Sequence, residues 1–177
     1  MVFVIKVIGA VMIAGGGYLI GNKIKKQYKR RTEYLKATQD ALKYADDAIA
    51  VENMLIEDVM KKCSDKFFKE ERGSDLWNMA AEKLRSNFGN FENVWEKACN
   101  DYYENSPYLT EKDAECIKDI GKALGIVSSL RQSAHVDAVL RNLNELELNA
   151  KSILEKEGKH VVQVALAIAA ALIILLF

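Results

Sequence analysis

The stretch 121–135, GKALGIVSSLRQSAH, decides the fold. A phosphate-binding loop here would need a strand before it and a helix after it. A joint between two helices would make this part of the chain all-α. The phosphate loop is G-x-x-x-x-G-K-[ST], with the lysine directly after the second glycine, so that backbone N–H groups and the ammonium meet the phosphates together. Gly121 and Gly125 stand one residue too close for that pattern, Ile126 follows Gly125, and no strand pattern precedes them. Gly125 instead suits the position just past a helix end, where positive φ is favoured. Ser129 and Gln132 then have the spacing of a capping box for the next helix. The joint reading follows. His135, on that next helix, would need a nucleophile or a carboxylate beside it to act catalytically. Its helical neighbours are Arg131, Gln132, Ala138 and Val139, so a structural pair with Gln132 is the expectation. Metal binding is not expected, because His160 is the only other histidine and metal sites gather their ligands.

Working outward, the segment after the joint carries one apolar stripe, Val136, Leu140, Leu143, Ala150 and Leu154, with Val139, Leu146 and Ile153 beside it. This predicts a helix over about 130–157, ending near Gly158. Before the joint, Thr110 and Asp113 make a capping-box-like start for EKDAECIKDIGKAL, and Ser106-Pro107 stops the preceding element. Asn90 can cap FENVWEKACNDYYEN, and Ser74 can cap DLWNMAAEKLRSNF. Trp77, Leu84, Phe88, Phe91, Val94 and Trp95 recur at helical steps and read as core. Leu35, Leu42, Ile49 and Ile56 fall every seven residues, with Thr38, Ala45 and Val59 between them, and a break is expected near 51–54. The result is an all-α bundle of about six helices over residues 32–157.

The ends differ in kind. Residues 2–21 contain one charge, Lys6, and residues 161–177 contain none. A membrane-spanning helix needs roughly 20 apolar residues, with about 17 as the lower limit. Two transmembrane helices are expected, flanking the bundle. A cleaved signal peptide wants positive charge before its apolar run, whereas here NKIKKQYKRR, 22–31, follows it with six Lys or Arg. That basic segment should lie against anionic lipid headgroups, and with Lys156, Lys159 and His160 it places residues 22–160 in the cytoplasm by the positive-inside rule. Gly17 and Gly21 form a small-xxx-small pattern, repeated by Ala165/Ala169 and Ala167/Ala171. Self-association and pairing of the two helices are both open on that pattern. The net charge of zero conceals 17 Lys and Arg against 25 Asp and Glu over 32–157, a balance of −8. An acidic body does not suit nucleic acid, whose affinity rests largely on phosphate neutralisation. Cys63, Cys99 and Cys116 are scattered and odd in number, and read as reduced, small apolar residues. No cofactor and no small-molecule substrate is expected.

The pattern of the joint resembles the stage III sporulation protein AB family of endospore-forming bacteria, in the segment L-T-x-x-D…L-G-x-x-L-G-x-S-D-x-x-x-Q-x-x-H-I. Leu109, Thr110, Asp113, Ile120, Gly121, Leu124, Gly125, Gln132, His135 and Val136 stand in matching register. Val127 and Ser128 replace the family's serine and acid. Glu92, Val94, Trp95 and Ala98 approximate an upstream E-A-W-x-x-A piece, and Asn53-Met54-Leu55 stands where the family has T-P-L. The resemblance implies an N-terminal membrane helix, a cytoplasmic helical domain and a C-terminal membrane helix. It implies kinship with the platform proteins of type II secretion and type IV pilus systems. It implies a non-enzymatic role in the channel complex between mother cell and forespore, in the outer forespore membrane. The implied partners are the secretion-type ATPase known as stage III sporulation protein AA and other membrane proteins of the complex. Two further readings stand beside it. A membrane-tethered sensor would need a ligand domain or a signalling motif, and an enzyme would use His135 with a cysteine or carboxylate.

Overall fold

The computed structural model describes residues 2–71, 75–86, 89–125 and 129–176; the side chains of 2–5, 71, 129–132 and 176 lie outside that description. The described chain is all-α. Helix α1 runs Val2–Ala50, α2 Ile56–Phe67, α3 Leu76–Ser86, α4 Phe91–Glu104, α5 Glu111–Leu124 and α6 Ser129–Leu176, with a 3-10 turn at Lys69–Glu71. The expected count of six holds, but α1 and α6 each contain a terminal apolar segment as well as a piece of the bundle. Gly158 does not end α6 as expected. Its neighbours are the Leu154 side chain and Lys25, and an isolated glycine lowers helix propensity by only about 1 kcal/mol.

Two compact units result. One is Glu33–Glu147. The other joins the chain up to Thr32 with the chain from Leu148. The core of the first unit is built from the faces that the periodicity marked. Leu35, Thr38, Leu42 and Ala45 of α1 are fully buried, as are Val59 and Met60 of α2, Trp77 of α3, Trp95 of α4, Ile120 of α5 and Leu143 of α6. Rings bind this core together: Trp77 meets Trp95 edge-on at 5.0 Å, and Tyr34 lies 5.4 Å from both Phe68 and Tyr102. Such pairs contribute about 0.5–1.5 kcal/mol each beyond burial. Gln39 links α1 to α6, its Nε2 donating to Glu147 Oε2 at 3.0 Å and reaching Leu143 O at 3.5 Å.

Local chemistry sets the helix starts. Asn90 caps α4, its side chain accepting from Glu92 N–H, and Thr110 with Asp113 completes a capping box on α5. For α3 the cap shown is Asp75; the expected cap, Ser74, lies outside the described residues. Asp75 Oδ1 accepts from the N–H groups of Trp77 and Asn78 at 3.0 and 3.1 Å. Its other oxygen accepts from the Ser64 hydroxyl at 2.6 Å, so one buried carboxylate both starts α3 and ties it to α2. The break after Ala50 falls where expected and turns on Asn53, at φ 51°. Asparagine tolerates that conformation better than most residues.

Candidate functional site

The family-pattern residues converge on the hairpin of α4 and α5. Trp95, fully buried, donates its indole N–H to the carbonyl of Ile117 at 2.8 Å. One helical turn on, Gly121 faces the same ring. A Cβ at residue 121 would stand 2.7 Å from Trp95 Cδ1, 3.0 Å from Cγ and 3.1 Å from Cβ. The two helices approach so closely there that only a residue without a side chain fits. Leu124, one turn beyond, is buried, as are Ile120 and Ala123. The loop joining α4 to α5 is closed by the Tyr102 and Tyr108 hydroxyls, 2.6 Å apart. Thr110 and Asp113 then set the direction of α5: Asp113 Oδ2 accepts Thr110 N–H at 2.8 Å, and Thr110 Oγ1 accepts Asp113 N–H at 3.3 Å. Two stretches far apart in the motif, 95–98 and 109–124, therefore form one lock.

The other half of the pattern behaves differently. Gly125 has φ −77° and ψ −4°, so the left-handed cap expected there is not formed. Its N–H continues the helical bonding, donating to Gly121 O at 3.0 Å, which holds residue 125 in the right-handed well. His135 is exposed on α6. Its expected pairing with Gln132, and the Ser129–Gln132 box, fall on side chains outside the described residues. The thiols are inert: burial pushes all three above their ordinary range, with Cys116 at about 12 through desolvation and the nearby Asp119 and Asp113 carboxylates. Cys63 uses its S–H toward the carbonyl of Ala41 at 3.5 Å. Among the described residues, no group of three or more His, Cys, Asp or Glu is placed to hold a metal ion.

The second unit resolves the Gly17/Gly21 pattern. A Cβ on Gly17 would lie 2.9 Å from Ala169 Cβ and 3.0 Å from Ala165 O; one on Gly21 would lie 2.9 Å from Val162 Cα and 3.2 Å from Ala165 Cβ. The small residues of the two terminal segments thus seat against each other, antiparallel, within one chain. Ala165 and Ala169 are used, whereas Ala167 and Ala171 are exposed. The large apolar side chains point the other way: Val11, Met12, Leu19 and Ile20 on α1, and Val164, Ile168, Ile174 and Leu175 on α6, are exposed. Small residues inside and large apolar ones outside is the pattern of helices packed in lipid. Both helices are long and apolar enough to cross a membrane, and little of either apolar window is buried within the chain, which a soluble core helix would require. The basic run follows directly, with Lys23, Lys25 and Lys26 exposed.

Sequence reasoning missed two features. The Ser64–Asp75 link joins residues eleven apart across a turn, and no periodicity reports it. The second is the turn after α1, where Val51 and Leu55 are exposed; an acidic run interrupted by aliphatic residues at a helix break was the available signal.

Together these observations define an all-helical protein in which two apolar helices, compatible with membrane insertion, bracket a compact helical domain. The family model described as stage III sporulation protein AB matches residues 6–177, and the chain belongs to that family. A solved structure of a stage III sporulation protein AB is similar to this chain at TM-score 0.64 and 17% identity, covering 71% of this chain and 96% of that one. At that identity the likeness speaks for the fold. No curated protein matches the chain.

Proposed function

We propose that this chain is a non-enzymatic platform of the sporulation channel complex between mother cell and forespore, holding a cytoplasmic secretion-type ATPase at the outer forespore membrane. The supporting observation is that the family match spans residues 6–177, taking in nearly all of both apolar helices and the whole helical domain between them. Membership brings a sporulation role. The docking role rests on the resemblance to secretion platform proteins and on the architecture. A domain fixed through both of its ends suits holding a soluble machine at a membrane. The basic run 22–31 keeps that domain on the cytoplasmic side, where such an ATPase works.

The test is reconstitution. The full chain in nanodiscs should retain the stage III sporulation protein AA-like ATPase of the same organism, and empty nanodiscs should not. Absence of retention, with helicity intact by circular dichroism, would overturn the docking role.

A further inference from the structure

The unit that joins the chain up to Thr32 with the chain from Leu148 holds its two helices in a fixed register. A Cβ on Gly21 would lie 2.9 Å from Val162 Cα, and one on Gly158 would lie 3.8 Å from Lys25 Cγ. Four residues forward along α1 therefore match four residues back along α6. At about 1.5 Å rise per residue, that register sets Lys23, Lys25 and Lys26 of α1 and Lys156 and Lys159 of α6 within ~6 Å of one another along the shared axis. All five are exposed, as is His160. Two carboxylates, Glu155 and Glu157, stand close to the same level, and among the described residues no ion pair joins either of them to these lysines. The neighbouring turns add Lys29, Arg30, Arg31 and Lys151, so residues 22–32 and 148–160 hold nine Lys and Arg against two Asp and Glu. Immediately beyond, toward the apolar ends, Leu19 and Ile20 of α1 and Val164 of α6 are exposed.

We propose that the paired helices form one composite site for anionic phospholipid headgroups, in which Lys156 and Lys159 of α6 act together with Lys23, Lys25 and Lys26 of α1. The basic run 22–31 is visible in the sequence, but its α6 half exists only because the helices pair in this register. Lys23, Lys25 and Lys26 alone fan around the α1 axis at about 100° per residue. Lysines on a second helix at the same level bring ammonium groups to a headgroup from another side. Position selects the occupant. The site is continuous with the lipid-facing surface of the same two helices, and a lysine stem can run along apolar surface while its ammonium stays at headgroup depth. An anionic headgroup there meets an excess of positive charge. The inference goes beyond the platform role and does not depend on it.

The experiment reconstitutes the full chain in phosphatidylcholine bilayers with a trace of spin-labelled phosphatidylglycerol or spin-labelled phosphatidylcholine. The motionally restricted fraction of each label gives their relative association with the protein. Four forms are compared, each checked for helicity by circular dichroism. They are the wild type, Lys156→Gln with Lys159→Gln, Gly21→Leu, and a control, Lys97→Gln with Lys112→Gln, which removes the same charge from exposed positions on α4 and α5. Gly21→Leu changes no charge but cannot keep the 2.9 Å approach to Val162. At low salt the wild type should prefer the anionic label by about fourfold or more, and the preference should shrink as salt rises. It should fall at least about twofold in the lysine variant and in Gly21→Leu, and stay unchanged in the control. No preference in the wild type overturns the proposal. An undiminished preference in either test variant shows that the run 22–31 acts alone, and the composite site is then wrong. If inorganic phosphate at constant ionic strength abolishes the preference, the site is one for free phosphate, and the lipid assignment is wrong.

Discussion

Substituting Gly121→Ala tests the central claim about the α4–α5 hairpin. The new methyl would meet three atoms of Trp95 at 2.7, 3.0 and 3.1 Å, all closer than carbon atoms tolerate. The contacted atoms include Cβ and Cγ, at the root of the side chain, so a small rotation cannot clear them. The far side of the indole is tied to Ile117 O at 2.8 Å and the ring is fully buried against Trp77, so the residue cannot swing aside. Overpacking of this kind costs about 1–3 kcal/mol. Alanine in a helix interior recovers about 0.5–1 kcal/mol relative to glycine. The net expectation is a destabilisation of about 1–2 kcal/mol, which for a unit of this size lowers the midpoint by roughly 4–10 °C. Tryptophan fluorescence is the direct assay, because the chain has two tryptophans and both are in this contact. The sharper version is a double-mutant cycle with Trp95→Ala. In that background the clash is gone and Gly121→Ala should become neutral or stabilising. If Gly121→Ala alone matches or exceeds the wild type in stability, the close approach yields cheaply and does not explain the glycine.

Other expectations follow from the remaining contacts. Asp75→Ala removes a cap and leaves the Ser64 hydroxyl without its acceptor, and should cost about 2–3 kcal/mol by urea unfolding, against about 1 kcal/mol for Ser64→Ala; equal costs would show that the cap contributes little. Gly21→Leu should separate the two terminal segments, seen as loss of disulfide cross-linking between cysteines placed at Gly17 and Ala169, while Tyr18→Leu, on the exposed side, should leave cross-linking unchanged. The native thiols should resist iodoacetamide at pH 8 and react fully once the chain is unfolded in detergent. For Cys116 the folded pKa is raised from 9.0 to about 12, so its contribution to stability is present below pH 9 and is lost as pH climbs toward 12; Cys116→Ala should lose less stability than wild type between pH 8.5 and 10.5.

Helix identity was legible because periodicity and caps agree. Leu35 and Leu42 at heptad spacing, Asn90 before α4, and Thr110 three residues before Asp113 each marked a local decision made by neighbouring residues. The errors fall where the deciding partner is remote or two local solutions compete. Asp75 caps α3 while also accepting from Ser64 of another helix, a partner that no local pattern reports. Gly125 is permitted a left-handed cap, but permission is not requirement, and its N–H found Gly121 O within the right-handed helix. Gly158 looked like an end from its residue type, while the helix continues through it. The choice between self-association and pairing at Gly17 and Gly21 could not be read from spacing, since both uses need the same small residues.

The family pattern itself divides along this line. Trp95, Thr110, Asp113 and Gly121 are accounted for by contacts within the α4–α5 hairpin, each satisfying a donor or permitting an approach. Their chemistry is spent inside the fold. His135 is exposed on α6, outside that hairpin, although it stands in register with the same pattern. An exposed side chain is placed to meet something outside the domain. His135→Ala should therefore leave the unfolding midpoint within about 0.5 kcal/mol of wild type, as for other surface substitutions. If it also weakens ATPase retention in nanodiscs, the face of α6 near 135 belongs to the assembly's contacts. A large loss of stability would instead place His135 in the fold, and the division drawn here would be wrong.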